Sequence, residues 1–212
     1  SITGTSSSLP PSCAGATLGA IQKRVIGWNC PNHMGRHHVI ITTPGDPLGH
    51  CGGSLLSSEW VITAGHCNND TGLEVILGNH PPGSVNKKTV AVKNKYVFEN
   101  GNQVDHDLML LKIDNTDKLP TISLPGLHCQ APAPKQRVEF IGMMQAAIDG
   151  QNVKSEYSVP LFHLGDSGSS LIWNGRLHGV LLGGETRFCV IAVFVDLCHK
   201  EYRDWILHFT GL

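Results

Sequence analysis

Turn residues spaced a few positions apart constrain this chain more than any other feature of its sequence. Val39 to Thr42, Trp60 to Thr63, Leu73 to Leu77, Lys88 to Val92 and Leu108 to Ile113 are short alternating or β-branched runs of the kind that pack on a pleated surface. Between them stand Pro44-Gly45-Asp46, Pro81-Pro82-Gly83 and Asn100-Gly101, each of which reverses a chain. The pattern resumes at Arg137 to Met143, Ser170 to Trp173, Leu177 to Leu182 and Val190 to Val195, with Asn174-Gly175 a hairpin turn. Many short antiparallel strands are expected, hence an all-β fold. Lys200 to Phe209 differs, because Tyr202, Trp205, Ile206 and Phe209 recur at three- and four-residue spacing and predict one short amphipathic helix.

Composition shifts divide the chain. Residues 1–24 are rich in Ser, Gly, Ala and Pro and end in Lys23-Arg24 before the apolar Val25-Ile26-Gly27, as a leader or activation segment would. Residues 114–136 hold Pro120, Pro125, Pro132 and Pro134 and read as a connection between halves. The expected organisation is a leader at 1–24, a first β half at 25–117, a linker at 118–136, a second β half at 137–199 and a helix at 200–212. With 16 basic and 17 acidic residues the formal net charge is -1, which argues against electrostatic capture of nucleic acid or an acidic membrane surface. No run approaches the roughly 18 apolar residues that cross a bilayer, and Ser1 to Ser12 carries no basic and apolar signal pattern, so any signal peptide is expected to have been removed already. Seven cysteines without the paired short spacings of a zinc site point to disulfides, an oxidising compartment and secretion. Asn69-Asp70-Thr71 is an N-glycosylation sequon in a polar stretch.

Three pieces carry the chemistry. Cys51-Gly-Gly-Ser-Leu-Leu-Ser-Ser-Glu-Trp-Val-Ile-Thr-Ala-Gly-His66-Cys67 delivers a histidine from a strand-like run beside a cysteine. Asp105-His106-Asp107-Leu-Met-Leu-Leu-Lys-Ile113 is an acid opening an apolar strand, and Gly165-Asp166-Ser167-Gly168-Ser169 is a serine in a glycine-rich turn. Together they resemble the chymotrypsin and trypsin family of serine peptidases, from Val25 to the C-terminus, more weakly between about Gly142 and Leu161. The resemblance implies two six-stranded antiparallel β-barrels, the second abbreviated, with the site in the cleft between them. A serine hydroxyl becomes a competent nucleophile when a neutral imidazole accepts its proton and a carboxylate holds that imidazole in one tautomer. By resemblance His66 is the base, Asp107 its orienter and Ser167 the nucleophile, with an oxyanion hole on the backbone N–H groups of Gly165 and Ser167. Asp105 is a competing acid on the same face as Asp107, whereas Asp107 directly precedes the apolar run. Taken singly, His66 reads as a core histidine beside a disulfide and Ser167 as a turn serine; the joint occurrence favours the triad.

The resemblance carries further expectations. Arg24-Val25-Ile26-Gly27 is similar to the family's activation cleavage site, and Asp166 stands where the freed amine pairs with an acid; a single glycine before Trp28 replaces the usual two. The stretch from Ile141 to His163 is shorter than its counterpart, and the floor of the specificity pocket falls on Leu161, which cannot pair with a basic side chain. Cleavage after Lys or Arg is therefore not expected. Val180-Leu181-Leu182-Gly183-Gly184 resembles the segment that adds substrate as a strand, which assigns Leu181 and Gly183 to substrate binding. His163 and Ser169-Ser170 replace a cysteine and a Gly-Pro pair. Cys51 with Cys67 and Cys129 with Cys198 match family bridges; Cys13, Cys30 and Cys189 remain, with Cys13–Cys30 and Cys30–Cys189 both open and one thiol left over. Among 12 histidines only His33, His37 and His38 cluster, and adjacent strand residues point to opposite faces, so no metal site and no cofactor is expected. The expected function is a secreted serine endopeptidase with a polypeptide substrate or protein inhibitor as partner, no nucleic acid or membrane partner, and an oligomeric state the sequence leaves open. The alternative is a noncatalytic homologue that binds or acts as a toxin.

Overall fold

The computed structural model describes residues 28–29, 31–46, 50–80, 84–99, 105–126, 128–133, 136, 138–142, 146–149, 166–184 and 192–212. Within them the first six strands after a short opening strand β1 (Trp28–Asn29) are β2 (His38–Thr42), β3 (Cys51–Leu55), β4 (Trp60–Thr63), β5 (Glu74–Leu77), β6 (Lys88–Glu99) and β7 (Asp105–Ile113). They close into an antiparallel barrel in the order β2-β3-β4-β7-β6-β5. The second half supplies β8 (Glu139–Ile141), β9 (Ala146–Asp149), β10 (Ser170–Trp173), β11 (Arg176–Gly184) and β12 (Ala192–Asp196), and α1 (Lys200–Thr210) ends the chain. Its sheet runs β1-β9-β8-β10-β11-β12 and is not closed among the described residues. The architecture is thus mostly β, with one closed six-stranded barrel, a second six-stranded sheet and one short helix. β1 precedes the barrel in sequence yet pairs with the second sheet, Trp28 opposite Ala147, so the chain ties the two halves together at its entry.

β7 explains how the halves share a core. Met109, Leu111 and Ile113 point into the barrel with Val39, Ile41, Val61, Val75 and Leu77. The alternate residues Leu108 and Leu110 pack outward with Ile62, Ile172, Leu177, Val180, Val195 and Ile206. A period of two with both faces buried is why this strand reads as an unbroken apolar run. β4 does the same, Val61 facing inward and Trp60 and Ile62 outward.

β3 is buried along its whole length although it contains two glycines and no β-branched residue. A side chain at Gly53 would stand 3.0 Å from Val39 Cγ2 and 3.1 Å from Val61 Cγ1, and one at Gly52 would meet Ser169 Oγ at 2.5 Å and His38 Cε1 at 2.9 Å. The glycines admit neighbours on both faces.

At this joint lie His37 and His38, 8% and 3% exposed. Opposite sides of the backbone are both covered here, so adjacency does not force either ring into water. His37 Nε2 lies 3.3 Å from Ser170 Oγ, while neither nitrogen of His38 has a hydrogen-bond partner. Burial lowers His37 to about 4; burial, then the charges of His37 and His80, lower His38 to about 3. Both rings are therefore neutral at pH 7, and the unfolded chain binds protons that the folded chain refuses. Their contribution to stability is full above the unfolded value near 6.5 and falls as the pH drops below it. Between pH 7 and 5.5 each should cost roughly 1 kcal/mol of unfolding free energy. Urea unfolding at the two pH values should show this loss, and His38→Gln, which cannot protonate, should shrink it by about half; an unchanged slope would contradict the assignment.

Candidate active site

His66 sits in a 3₁₀ turn, Gly65–Cys67, immediately after β4. The turn lies against β7 because residue 65 has no side chain: a Cβ there would stand 3.0 Å from Asp107 Oδ1 and 3.1 Å from the Leu108 nitrogen. Held this close, the His66 backbone N–H donates to Asp107 Oδ1 at 2.5 Å and the ring Nδ1 to Oδ2 at 2.6 Å. Of the two acids in the Asp105 to Asp107 segment, Asp107 is the one that grips His66. A ring that donates from Nδ1 to a carboxylate presents an unprotonated Nε2, the tautomer a general base requires.

Electrostatics follow the same geometry. The hydrogen bond to Asp107 raises the His66 pKa above its ordinary value, partial burial opposes the rise and the Asp107 charge adds to it. Partial burial pushes the Asp107 carboxyl up, but hydrogen bonds from the His66 ring and from the His66 and Gly65 backbone, together with the charge on His66, outweigh burial and leave it lowered. The His66 side chain is 46% exposed and that of Asp107 25%, so the ring faces solvent on the side away from the acid.

Ser167 arrives from the second half on a turn fastened to the barrel. Its carbonyl accepts a hydrogen bond from Gly52 N–H at 2.7 Å, and Cys67 Sγ lies 3.9 Å from the same oxygen. Cys67 adjoins His66 in sequence, so this fastening brings the serine turn to the histidine turn. Gly168 has a φ of +83°, and a Cβ on it would overlap the Gly52 carbonyl and Thr63 Oγ1. Thr63 Oγ1 also donates to the Gly52 carbonyl at 2.8 Å. Sequence reasoning passed over Thr63; its place at the end of the run that delivers His66 was the signal. Among the described residues no acceptor takes up the Ser167 backbone N–H, and no hydrogen bond joins His66 to Ser167. The Ser167 hydroxyl instead donates to the Leu182 carbonyl at 3.3 Å.

Other expected residues divide three ways. Cys51–Cys67 and Cys129–Cys198 are both bonded, with Cα separations of 6.1 and 5.5 Å. The first consumes the two sulfurs beside His66, so that donor set offers no thiolate to a metal. Asp166 is buried, and Asn69 Oδ1 accepts from Thr71 N–H and Oγ1 in a polar turn. Leu181 is fully buried; its N–H donates to the Ser169 carbonyl and its carbonyl accepts from Gly168 N–H, so its backbone supports the serine turn. Gly183 follows it in β11, beyond a register shift and opposite Val193. Arg24, Val25, Leu161 and Gly165, with Cys13, Cys30 and Cys189, lie outside the described residues.

A barrel and a second sheet that meet at a carboxylate–imidazole pair and a fastened serine turn define the architecture of a trypsin-like protein. The trypsin family model matches residues 24–163, more than half of the chain, and the chain belongs to that family. It is similar to Trypsin-4 of Rattus norvegicus, 26% identical across 87% of this chain and 88% of that protein. It is likewise similar to Kallikrein-2 of Homo sapiens, 28% identical across 92% of each. The structure of kallikrein-related peptidase 10 in complex with Zn2+ superposes with a TM-score of 0.68 at 21% identity, over 85% of this chain and 98% of that one, a likeness of fold. A proteolytic function in general terms comes with the family.

The Asp107–His66 bond sets the titration of the ring. Asp107→Asn should lower the His66 midpoint, read from its imidazole proton resonances, because the charge and the strong acceptor go together. A midpoint that stays put would mean that the pair does not govern the ring.

Proposed function

We propose that this chain is a secreted serine endopeptidase that hydrolyses peptide bonds through an acyl-enzyme intermediate. The observation that carries the proposal is the Nδ1 hydrogen bond from His66 to Asp107, which leaves Nε2 as a base, together with the serine turn bonded through its carbonyl to Gly52 N–H. In the proposed reaction the Ser167 Oγ attacks the substrate carbonyl as His66 Nε2 takes its proton. The unengaged Ser167 N–H, with that of Gly165, would stabilise the oxyanion. His66 then protonates the leaving amine, and water resolves the ester by the same path reversed. The resemblance that assigns the pocket floor to Leu161 supports an apolar residue before the scissile bond. Residues 1–24 form an activation segment in this reading, the folded body follows the organisation given above, and Asn69 carries a glycan. The seven cysteines support an oxidising, extracellular setting; no helix among the described residues is long and apolar enough to cross a membrane.

A second reading has its own support. The Ser167 hydroxyl engaged on the Leu182 carbonyl, with no bond to His66, suits a noncatalytic homologue or an uncleaved precursor. In a precursor, cutting after Arg24 would free the Val25 amine to pair with Asp166 and reshape the turn. A fluorophosphonate, which labels only activated serines, separates these. After confirmed cleavage at Arg24 it should label Ser167, with labelling lost in His66→Ala; a cleaved chain that stays unlabelled would favour the noncatalytic homologue.

Specificity is tested separately. A peptide-library digest by the cleaved chain should show apolar residues preferred before the cut. Substantial cleavage after Lys or Arg would refute the role given to Leu161.

A further inference from the structure

Beneath α1 lies a cavity of about 240 Å³ lined by Leu56, Ile122, Ser123, Leu124, Arg203 and Leu212. Leu56, Ile122 and Leu124, each less than a tenth exposed, form the apolar part of the walls, while Ser123 and Leu212 are exposed. Arg203 is 8% exposed, and its Nε and Nη1 have no hydrogen-bond partner. Nor does it form an ion pair among the described residues. Neighbouring backbone groups are already engaged: Ile122 N–H donates to Leu55, the Ser123 carbonyl accepts from Leu177 and the Leu124 carbonyl accepts from the Arg176 guanidinium. A guanidinium that buries two nitrogens without an anion is unfavourable, and protein interiors rarely keep one. Burial lowers its pKa.

A helix built only to cover the sheet would carry an aliphatic residue here. Arg203 and Ile206 are one turn apart on α1 and are the buried residues of that helix, so position 203 faces the core. The cavity offers one fixed positive group, Ser123 and otherwise aliphatic side chains, which complements a molecule with one negative end and an apolar body.

We infer that the cavity under α1 is a binding site for a small amphipathic monocarboxylate, its carboxylate on Arg203 and its apolar tail against Leu56, Ile122 and Leu124. The carboxylate could belong to a free organic acid or to the end of a short peptide, and the site is independent of the proposed peptidase activity.

The test is calorimetric titration of the full chain at pH 7 with four probes. Hexanoate has both features, acetate only the charge and hexan-1-ol only the tail, while N-acetyl-leucine presents a peptide-type carboxylate. Saturable binding of hexanoate or N-acetyl-leucine is expected, at least tenfold tighter than acetate or hexan-1-ol and weakened at least tenfold by Arg203→Met; the tighter of the two acids identifies the source. Arg203→Met should also raise the melting temperature of the unliganded chain, since an unpaired buried charge is gone. Should that variant fail to fold, Leu56→Trp, which fills the cavity and keeps the charge, should produce the same tenfold loss. Absence of saturable binding by either acid, or a smaller loss in the folded variant, overturns the site.

Discussion

The amide of Gly52 donates to the carbonyl of Ser167, and through that bond a turn of the second sheet is fastened to a strand of the barrel. Its neighbours serve the same contact. Gly52 has no side chain because Ser169 and His38 occupy that space, and Gly168 adopts a left-handed conformation because Gly52 and Thr63 press against it. Thr63 fixes the Gly52 carbonyl from the other side. A methyl group at either glycine would force the halves apart, and backbone-to-backbone approach of this kind is the reason glycine is required at both positions. Without the fastening, the His66–Asp107 pair would remain intact within the barrel and Ser167 would be elsewhere. The site thus divides into a pair that one half makes locally and a serine turn that the joint positions.

That division explains what could be read from the sequence. His66 and Asp107 are brought together by adjacent strands, β4 and β7, whose apolar runs are plain, and the motif around each is distinctive. The helix, the Asn174-Gly175 hairpin and most strands were likewise legible from period and turn chemistry. β3 was not, because Cys-Gly-Gly-Ser-Leu has poor strand propensity and earns its place by packing, which no local pattern encodes. β1 is two residues long, and β6 runs on to Glu99 past two register shifts, features decided by pairing partners far away in sequence. The burial of Leu181 comes from the serine turn bonded to its backbone, a contact distant in sequence. Arg203 escaped notice because a search for apolar periodicity counts only apolar residues, so a charge on the buried face leaves no mark.

The histidines show how strongly the environment sets the state of one side-chain type. His37 and His38, withdrawn from water with a hydroxyl or nothing as partner, are pulled well below their ordinary value, whereas His66, open to solvent on one side and bonded to a carboxylate on the other, is pushed above it. The consequences for folding have opposite signs. Contributions from His37 and His38 are present above the unfolded value and decline as the pH falls; that from His66 is present below the unfolded value and declines as the pH rises through its folded one. Mild acid therefore loosens the joint between halves while favouring the charged His66–Asp107 pair on the barrel's surface.

Two kinds of polar burial coexist here, and they answer to different logic. At the joint, Ser54, Thr63, Ser169 and Ser170 are hydroxyls small enough to fit between closely spaced strands, and a neutral hydroxyl left without a partner costs little compared with an ion. Such a surface can hold two halves in contact without fusing them into one apolar core, which suits a turn whose exact conformation matters. Arg203 obeys no such economy. Its helix is otherwise well anchored, with Tyr202 bonded to His106 beside Asp107, Phe98 in edge contact with Tyr202 and Trp205, and Ile206 in the core shared by both halves. A helix held on so many contacts can tolerate one unfavourable group, but tolerance does not account for a cavity opening where that group points. A largely apolar cavity and an unpartnered cation coincide at one place, and a molecule that fills the first and neutralises the second resolves both.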